Sequence, residues 1–223
     1  MSKSYFIAGT DTDVGKTFVS EGLLLAANAA GLSTAGVKPI AAGCDDNMHN
    51  GDALALQRSM SLELSYQQVN PVALKEAIAP HIAAAHEGRR LRASQLAGYC
   101  QGVLMRRADI TLVEGAGGWR VPLNSSETMA DLVRILNIEV ILVVGMRLGC
   151  INHALLTAEA ICADGLKLKA WVANRVDPQM SCYGENLSTL QNMLAVPLLA
   201  EIPWVYPSDP SQVIDKYDLS YIY

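Results

Sequence analysis

Aromatic side chains are scarce in this chain of 223 residues, at 6% of positions with only two phenylalanines, and charged residues reach just 17%. A disordered chain would carry more charge and fewer aliphatics than the 51% hydrophobic content here, so a folded core is expected. No basic stripe exists: 17 Lys and Arg face 22 Asp and Glu, a formal charge of −5. With nothing clustered to offset phosphates, nucleic acid is excluded as a partner class. Long apolar runs are also missing; the stretches around Val140–Gly145 and Leu23–Ala27 are far too short to span a bilayer, so no membrane role is expected. Cys44, Cys100, Cys150, Cys162 and Cys182 are odd in number and hold no C-x-x-C spacing, which argues against a disulfide framework or a zinc site. Met1-Ser2-Lys3-Ser4 runs into a strand-like stretch without a signal-peptide core, and a reducing, cytoplasmic setting is expected.

What is present is an alternation. Tyr5–Ala8, Thr34–Val37, Ile110–Val113, Val140–Val144, Ala170–Ala173 and Leu198–Ile202 are nearly continuously apolar, as parallel strands covered on both faces are. Between them Thr17–Ala30, Ala93–Arg107, Ala130–Leu136, Asn152–Ala163 and Gly184–Leu194 suit helices, with Gly31 and Gly165 placed as left-handed helix ends. The expected fold class is α/β, a doubly wound parallel sheet, and residues 1–223 read as one domain. Cys44–Gly51 reads as a polar surface loop, and the tail from Pro207 carries no clear element.

The strongest chemical signal is Gly9-Thr10-Asp11-Thr12-Asp13-Val14-Gly15-Lys16-Thr17, between the first strand and the first helix. A phosphate loop needs that context, because a helix start offers free N–H groups and partial positive charge. Gly15 lets backbone approach phosphate oxygens, Lys16 suits the outer phosphates, and the Thr17 hydroxyl suits Mg²⁺. Five residues separate Gly9 from Gly-Lys-Thr where the usual loop has four, so this is a P-loop NTPase-like fold with a deviant loop. Glu114 ends the strand Ile110–Val113 and offers a second acidic contact for the ion, followed by Gly115-Ala116-Gly117-Gly118 as a tight turn near phosphates. Asp52 opens a helical run, where a carboxylate serves as a cap or first-turn charge and can also reach an ion.

Taken together, GTDTDVGKT (9–17), AGVKP (35–39), GDALALQ (51–57), VEGAGGW (113–119), VVGMRLGCINHALLTA (143–158), WVANR (171–175) and EIPW (201–204) resemble the dethiobiotin synthetase family, ATP-dependent enzymes of biotin synthesis. The resemblance covers nearly the whole chain in the family's order. It implies that 7,8-diaminopelargonic acid and CO₂ form a carbamate, that ATP phosphorylates it, and that ring closure releases ADP and phosphate. It implies roles for Lys38 and Lys16 beside the transferring phosphoryl group, with Thr12 near the substrate. It places Mg²⁺ on Thr17, Asp52 and Glu114. ATP contacts are implied for Asp13, Val14, Gly15, Lys16, Thr17, Phe18, Asp52, Glu114, Gly115, Ala116 and Gly117. The base falls to Asn174, Arg175, Pro203, Trp204 and Val205.

Substrate contacts are implied for Thr12, Lys38, Ala42 and the run Gly149-Cys150-Ile151-Asn152, where Asn152 is a plausible helix cap. The family's loop there reaches into the partner subunit's site, so a homodimer is implied. Cys150 reads as a packed thiol and His153 as structural. Two departures stand out: Ala42 stands where the family usually has Ser or Thr at a substrate contact, and Ala77 and Ala79 replace Pro and Ser in E-P-x-S-P-H. A lost hydroxyl costs about 1 kcal/mol, so a working enzyme with reduced substrate affinity is expected, beside a paralogue of altered substrate. Other readings are a related ATP-dependent amidoligase and a partitioning-type ATPase switch; the switches carry a lysine early in the loop, at the place of Asp11.

Overall fold

The computed structural model describes residues 2–223. Six parallel strands form the central sheet: β1 (Lys3–Gly9), β2 (Thr34–Val37), β5 (Ile110–Gly118), β6 (Glu139–Met146), β7 (Leu168–Arg175) and β8 (Leu198–Ile202), in spatial order β2-β5-β1-β6-β7-β8. All six expected strands are present. Their near-continuous aliphatic runs are buried because helices cover the faces, among them α1 (Lys16–Ala29), α5 (Ala93–Leu104), α6 (Met129–Leu136), α7 (Cys150–Ala163) and α8 (Tyr183–Met193). The chain starts centrally at β1, runs outward to β2, returns to β5, and then crosses to β6 and onward. Such a reversal leaves a crevice at the carboxyl ends of the strands, where ligands bind in open α/β sheets.

A smaller unit extends that crevice. Strands β3 (Ala41–Ala42) and β4 (Ala73–Leu74) pair in parallel, with Ala41 opposite Ala73 and Ala42 opposite Leu74. Around them lie α2 (Gly51–Ser59), α3 (Tyr66–Val69) and α4 (Pro80–His86). Asn50 caps α2, its side-chain oxygen accepting from the N–H groups of Asp52 and Ala53. Asp52 is therefore a first-turn carboxylate with its side chain left free for other partners.

Three local expectations are corrected. The glycines after Glu114 do not turn the chain at once: β5 continues to Gly118, which pairs with Gly9 after a register irregularity. The left-handed turn comes inside that extension, at Gly117 with φ 61°. Helix α7 starts at Cys150, capped by Gly149 in the left-handed region, so Asn152 lies within its first turn and is not the cap. The tail is ordered as two 3₁₀ turns, Pro210–Lys216 and Leu219–Tyr221. Val213, Tyr217 and Ile222 are buried in it. The Tyr217 hydroxyl donates to the Val19 carbonyl of α1 (3.0 Å), and the Tyr5 hydroxyl donates to the Ile222 carbonyl (2.6 Å).

Candidate active site

The phosphate loop is assembled by close backbone approach. Gly15 caps α1 at φ 80°, and a Cβ there would lie 2.2 Å from Asn174 Nδ2. Only glycine meets both conditions. Val14 is buried behind the loop, and its carbonyl accepts from Asn174 Nδ2 at 2.8 Å. Asn174 thus uses its donor to hold the loop, a role that its expected base contact did not include. Phe18 is half-buried against the core.

A cavity of about 800 Å³ opens over this loop at the strand ends. Thr12, Asp13, Gly15, Lys16, Thr17, Lys38, Ala42, Asp52, Ala116 and Gly117 line it, so residues scattered over more than a hundred positions meet as expected. At its floor Lys38 is buried, and its Nζ donates to Glu114 Oε1 (2.6 Å), Asp52 Oδ2 (2.9 Å) and the Gly115 carbonyl (3.3 Å). The backbone of Lys38 is fixed from both sides: its N–H donates to the Val69 carbonyl, and its carbonyl accepts from Asn70 Nδ2, each at 2.7 Å. The end of α3, which no sequence signal marked, therefore aims this lysine.

The two buried lysines are driven in opposite directions. For Lys16, burial and then the nearby Lys38 ammonium pull the amine down to about 8, against weaker support from Glu114 and Asp52. For Lys38, burial alone would lower the amine, but Glu114 and Asp52 outweigh it and hold the ammonium above its ordinary value. Burial likewise would raise the Asp52 carboxyl, and the adjoining Lys38 ammonium more than offsets that, leaving it below the usual range. Lys16 is folded back on the loop, its Nζ donating to the Asp11 carbonyl at 3.0 Å.

The same carboxylates bear on a divalent ion. Thr17 Oγ1 donates to Glu114 Oε1 at 2.8 Å, and Glu114 Oε2 is buried without a hydrogen-bond partner. An orphaned carboxylate oxygen beside a hydroxyl and a second carboxylate is a hard-oxygen donor set that fits Mg²⁺.

A second, smaller cavity of about 280 Å³ is lined by Arg175, Tyr183, Glu201, Pro203 and Lys216. It unites the expected Arg175 and Pro203, whereas Trp204 is exposed and neither it nor the half-buried Val205 lines it. Tyr183, Glu201 and Lys216 were not foreseen; the Arg175 guanidinium lies 4.8 Å from the Tyr183 ring centre.

Gly149, Cys150, Ile151 and Asn152 do not line the large cavity of their own chain. Cys150 is packed as expected, with burial pushing its thiol up, and His153 is exposed on α7 instead of structural. The three alanine departures converge: Ala42, Ala77 and Ala79 share one wall of the large cavity with Ala41, Ile78 and Pro80. Gly43 brings them together, since its N–H donates to the Glu76 carbonyl and a Cβ on it would sit 3.0 Å from Ala77 Cβ.

The AAA domain family model matches residues 3–212. The ATP-dependent dethiobiotin synthetase BioD of Cellvibrio japonicus is 59% identical over 204 residues, spanning 90% of this chain and 89% of that relative. The chain belongs to the dethiobiotin synthetase family. Its relative from Pseudomonas paraeruginosa is 54% identical, covering 97% of this chain and 96% of its own length. BioD 1 of Escherichia coli K12 is 49% identical, over 97% of both chains. Solved structures agree on the fold. The septum site-determining protein MinD of Pyrococcus horikoshii superposes at TM-score 0.57 with 16% identity, over 99% of this chain and 89% of its own. The cell division protein FtsY of Thermotoga maritima also gives 0.57, with 13% identity, over 100% of this chain and 67% of its own.

Proposed function

We propose that the protein is an ATP-dependent cyclo-ligase that makes dethiobiotin from 7,8-diaminopelargonic acid and CO₂. The observation that carries the reading is Lys38, buried and aimed by Asp52, Glu114 and Gly115 at the floor of a cavity it shares with the phosphate loop. The 49–59% identity to relatives named ATP-dependent dethiobiotin synthetase supports dethiobiotin as the product.

In the first step one amine of the diamine adds to CO₂ and loses a proton, giving a carbamate. A carbamate oxygen then attacks the γ-phosphorus of ATP, and the bond to ADP breaks. The second amine attacks the carbonyl of the resulting mixed anhydride, and phosphate leaves as the cyclic urea closes. The carbamate is already a competent nucleophile toward phosphorus, so the protein chiefly positions and neutralises. Lys16 lies over the loop to meet the outer phosphates, and Lys38 faces the carbamate and the moving phosphoryl group. Thr12, on the cavity wall, orients the diamine. Thr17, Asp52 and Glu114 would hold Mg²⁺, which when bound supplies further charge neutralisation for the triphosphate. Arg175 and Pro203 serve the base side, with Asn174 holding the loop between base and phosphates.

The protein acts as a homodimer in this reading. Support comes from the run Gly149–Asn152, which stands away from its own cavity beside Leu148, 93% exposed. A large apolar side chain so exposed suits an interface that carries this turn to a partner's substrate carboxylate. A cytoplasmic setting belongs to the same proposal, supported by five free thiols.

Phosphate release from Mg·ATP, with and without the diamine and bicarbonate, tests the reading when followed by mass spectrometry of the product. Release that requires the diamine and yields dethiobiotin supports it; turnover with ATP alone would sink the substrate assignment.

A further inference from the structure

One half-exposed ion pair joins two parts of the molecule that the proposed reaction uses separately. Asp11, on the phosphate loop, accepts the Thr12 backbone N–H at Oδ1 (2.7 Å) and the Arg147 guanidinium at Oδ2 (2.8 Å). Arg147 follows β6, and its carbonyl accepts the Cys150 N–H (3.0 Å) at the start of α7. A single carboxylate therefore ties the backbone of Thr12, on the cavity wall, to the turn that launches α7. The loop is further stitched to β6 by the Thr10 N–H donating to the Val143 carbonyl (3.0 Å). With 40% and 48% of the two side chains exposed, the pair adds little to stability, so its worth lies in placement.

We propose that Asp11 and Arg147 are positioning residues that set the N-terminal turn of α7 from the phosphate loop, and thereby set affinity for the carboxylate end of the diamine. The proposal rests on the reading above, in which Thr12 serves one site and residues 149–152 serve the partner's. Nucleotide binding at the loop is then transmitted to the turn. By linkage, the diamine in one site favours nucleotide binding in the other.

Arg147→Gln keeps the shape and removes the charge. It is expected to raise KM for the diamine about tenfold, with kcat changed less than about twofold. Arg147→Lys restores most of the affinity. Asp11→Asn keeps an acceptor for the Thr12 N–H and produces the same rise, and the double variant rises no further than either single one. Hydrogen exchange gives a readout free of turnover: in wild type a non-hydrolysable ATP analogue slows exchange across residues 148–153, and in Asp11→Asn it does not. Additive KM rises, an unmoved KM, or analogue protection that survives in Asp11→Asn overturn the proposal. So does a variant that sediments as a monomer, because lost assembly then explains the affinity. A wild type that makes no dethiobiotin defeats the substrate reading instead, and the exchange experiment still judges the link.

Discussion

The two walls of the large cavity are built on opposite plans. The floor holds Lys16, Lys38 and Glu114 out of water and pairs the Lys38 ammonium with the Glu114 carboxylate, on elements anchored in the six-stranded sheet. The facing wall holds Ala41, Ala42, Ala77, Ile78 and Ala79, on a pair of two-residue strands and the segment after them. Buried charges tolerate little displacement, because each loses its compensation when a partner moves. An alanine wall makes few directional demands and adjusts at small cost. In the proposed reaction, phosphoryl chemistry falls to the charged side and substrate fit to the alanine one.

Lys38→Met breaks this contrast most severely. It leaves fully buried Glu114 without its cation, at a cost of about 3–5 kcal/mol in urea unfolding, and removes about 10²–10³-fold in kcat. Added Mg²⁺ is expected to return part of the lost stability. Failure to do so would show that the ion does not use these carboxylates. Gly15→Ala comes next: a left-handed φ of 80° and a Cβ 2.2 Å from Asn174 Nδ2 cost about 1–3 kcal/mol and weaken ATP binding, read by nucleotide titration. On the other wall, Ala42→Ser is expected to lower KM for the diamine by about 1 kcal/mol, roughly fivefold, with kcat unchanged. A change in kcat instead would show that the alanine wall takes part in the chemistry.

The thiols separate by burial. Cys162 and Cys182 are exposed and react promptly with a thiol reagent, while Cys44, Cys100 and Cys150 wait for unfolding. Burial pushes the Cys100 thiol up from 9.0 to about 12, so above pH 9 the unfolded chain ionises first. The Cys100 contribution to stability is therefore intact below pH 9 and lost as pH rises toward 12, a slope that Cys100→Ala removes.

The floor was largely legible in the sequence and the wall was not, for reasons of distance and length. Gly9–Thr17 declares itself through contiguous spacing, and Glu114 through the aliphatic run it follows, although β5 continues past it to Gly118. Lys38 was found by resemblance, but what aims it, the carbonyl of Val69 and the amide of Asn70, leaves no local pattern. Strands β3 and β4 have two residues each, too few for any periodicity to register. Ala42 and Ala79 lie 37 positions apart in sequence; only the fold makes them one surface. The base side was half visible, since Arg175 and Pro203 come together but Tyr183 and Lys216 arrive from elements with no motif.

The tail's grip on α1 bears on how the molecule is made. Tyr217 anchors to Val19 across 198 positions, and Tyr5 reaches Ile222 across 217. A Cβ on Gly22 would lie 2.6 Å from the Tyr217 hydroxyl, so the ring is seated directly against the helix that begins at the phosphate loop. During synthesis that helix emerges early and must wait nearly two hundred residues for its backing. Closure over such a sequence span is entropically late. In the proposed site the same helix holds the nucleotide, which would then act as a folding ligand, favouring the finished chain over its incomplete precursors.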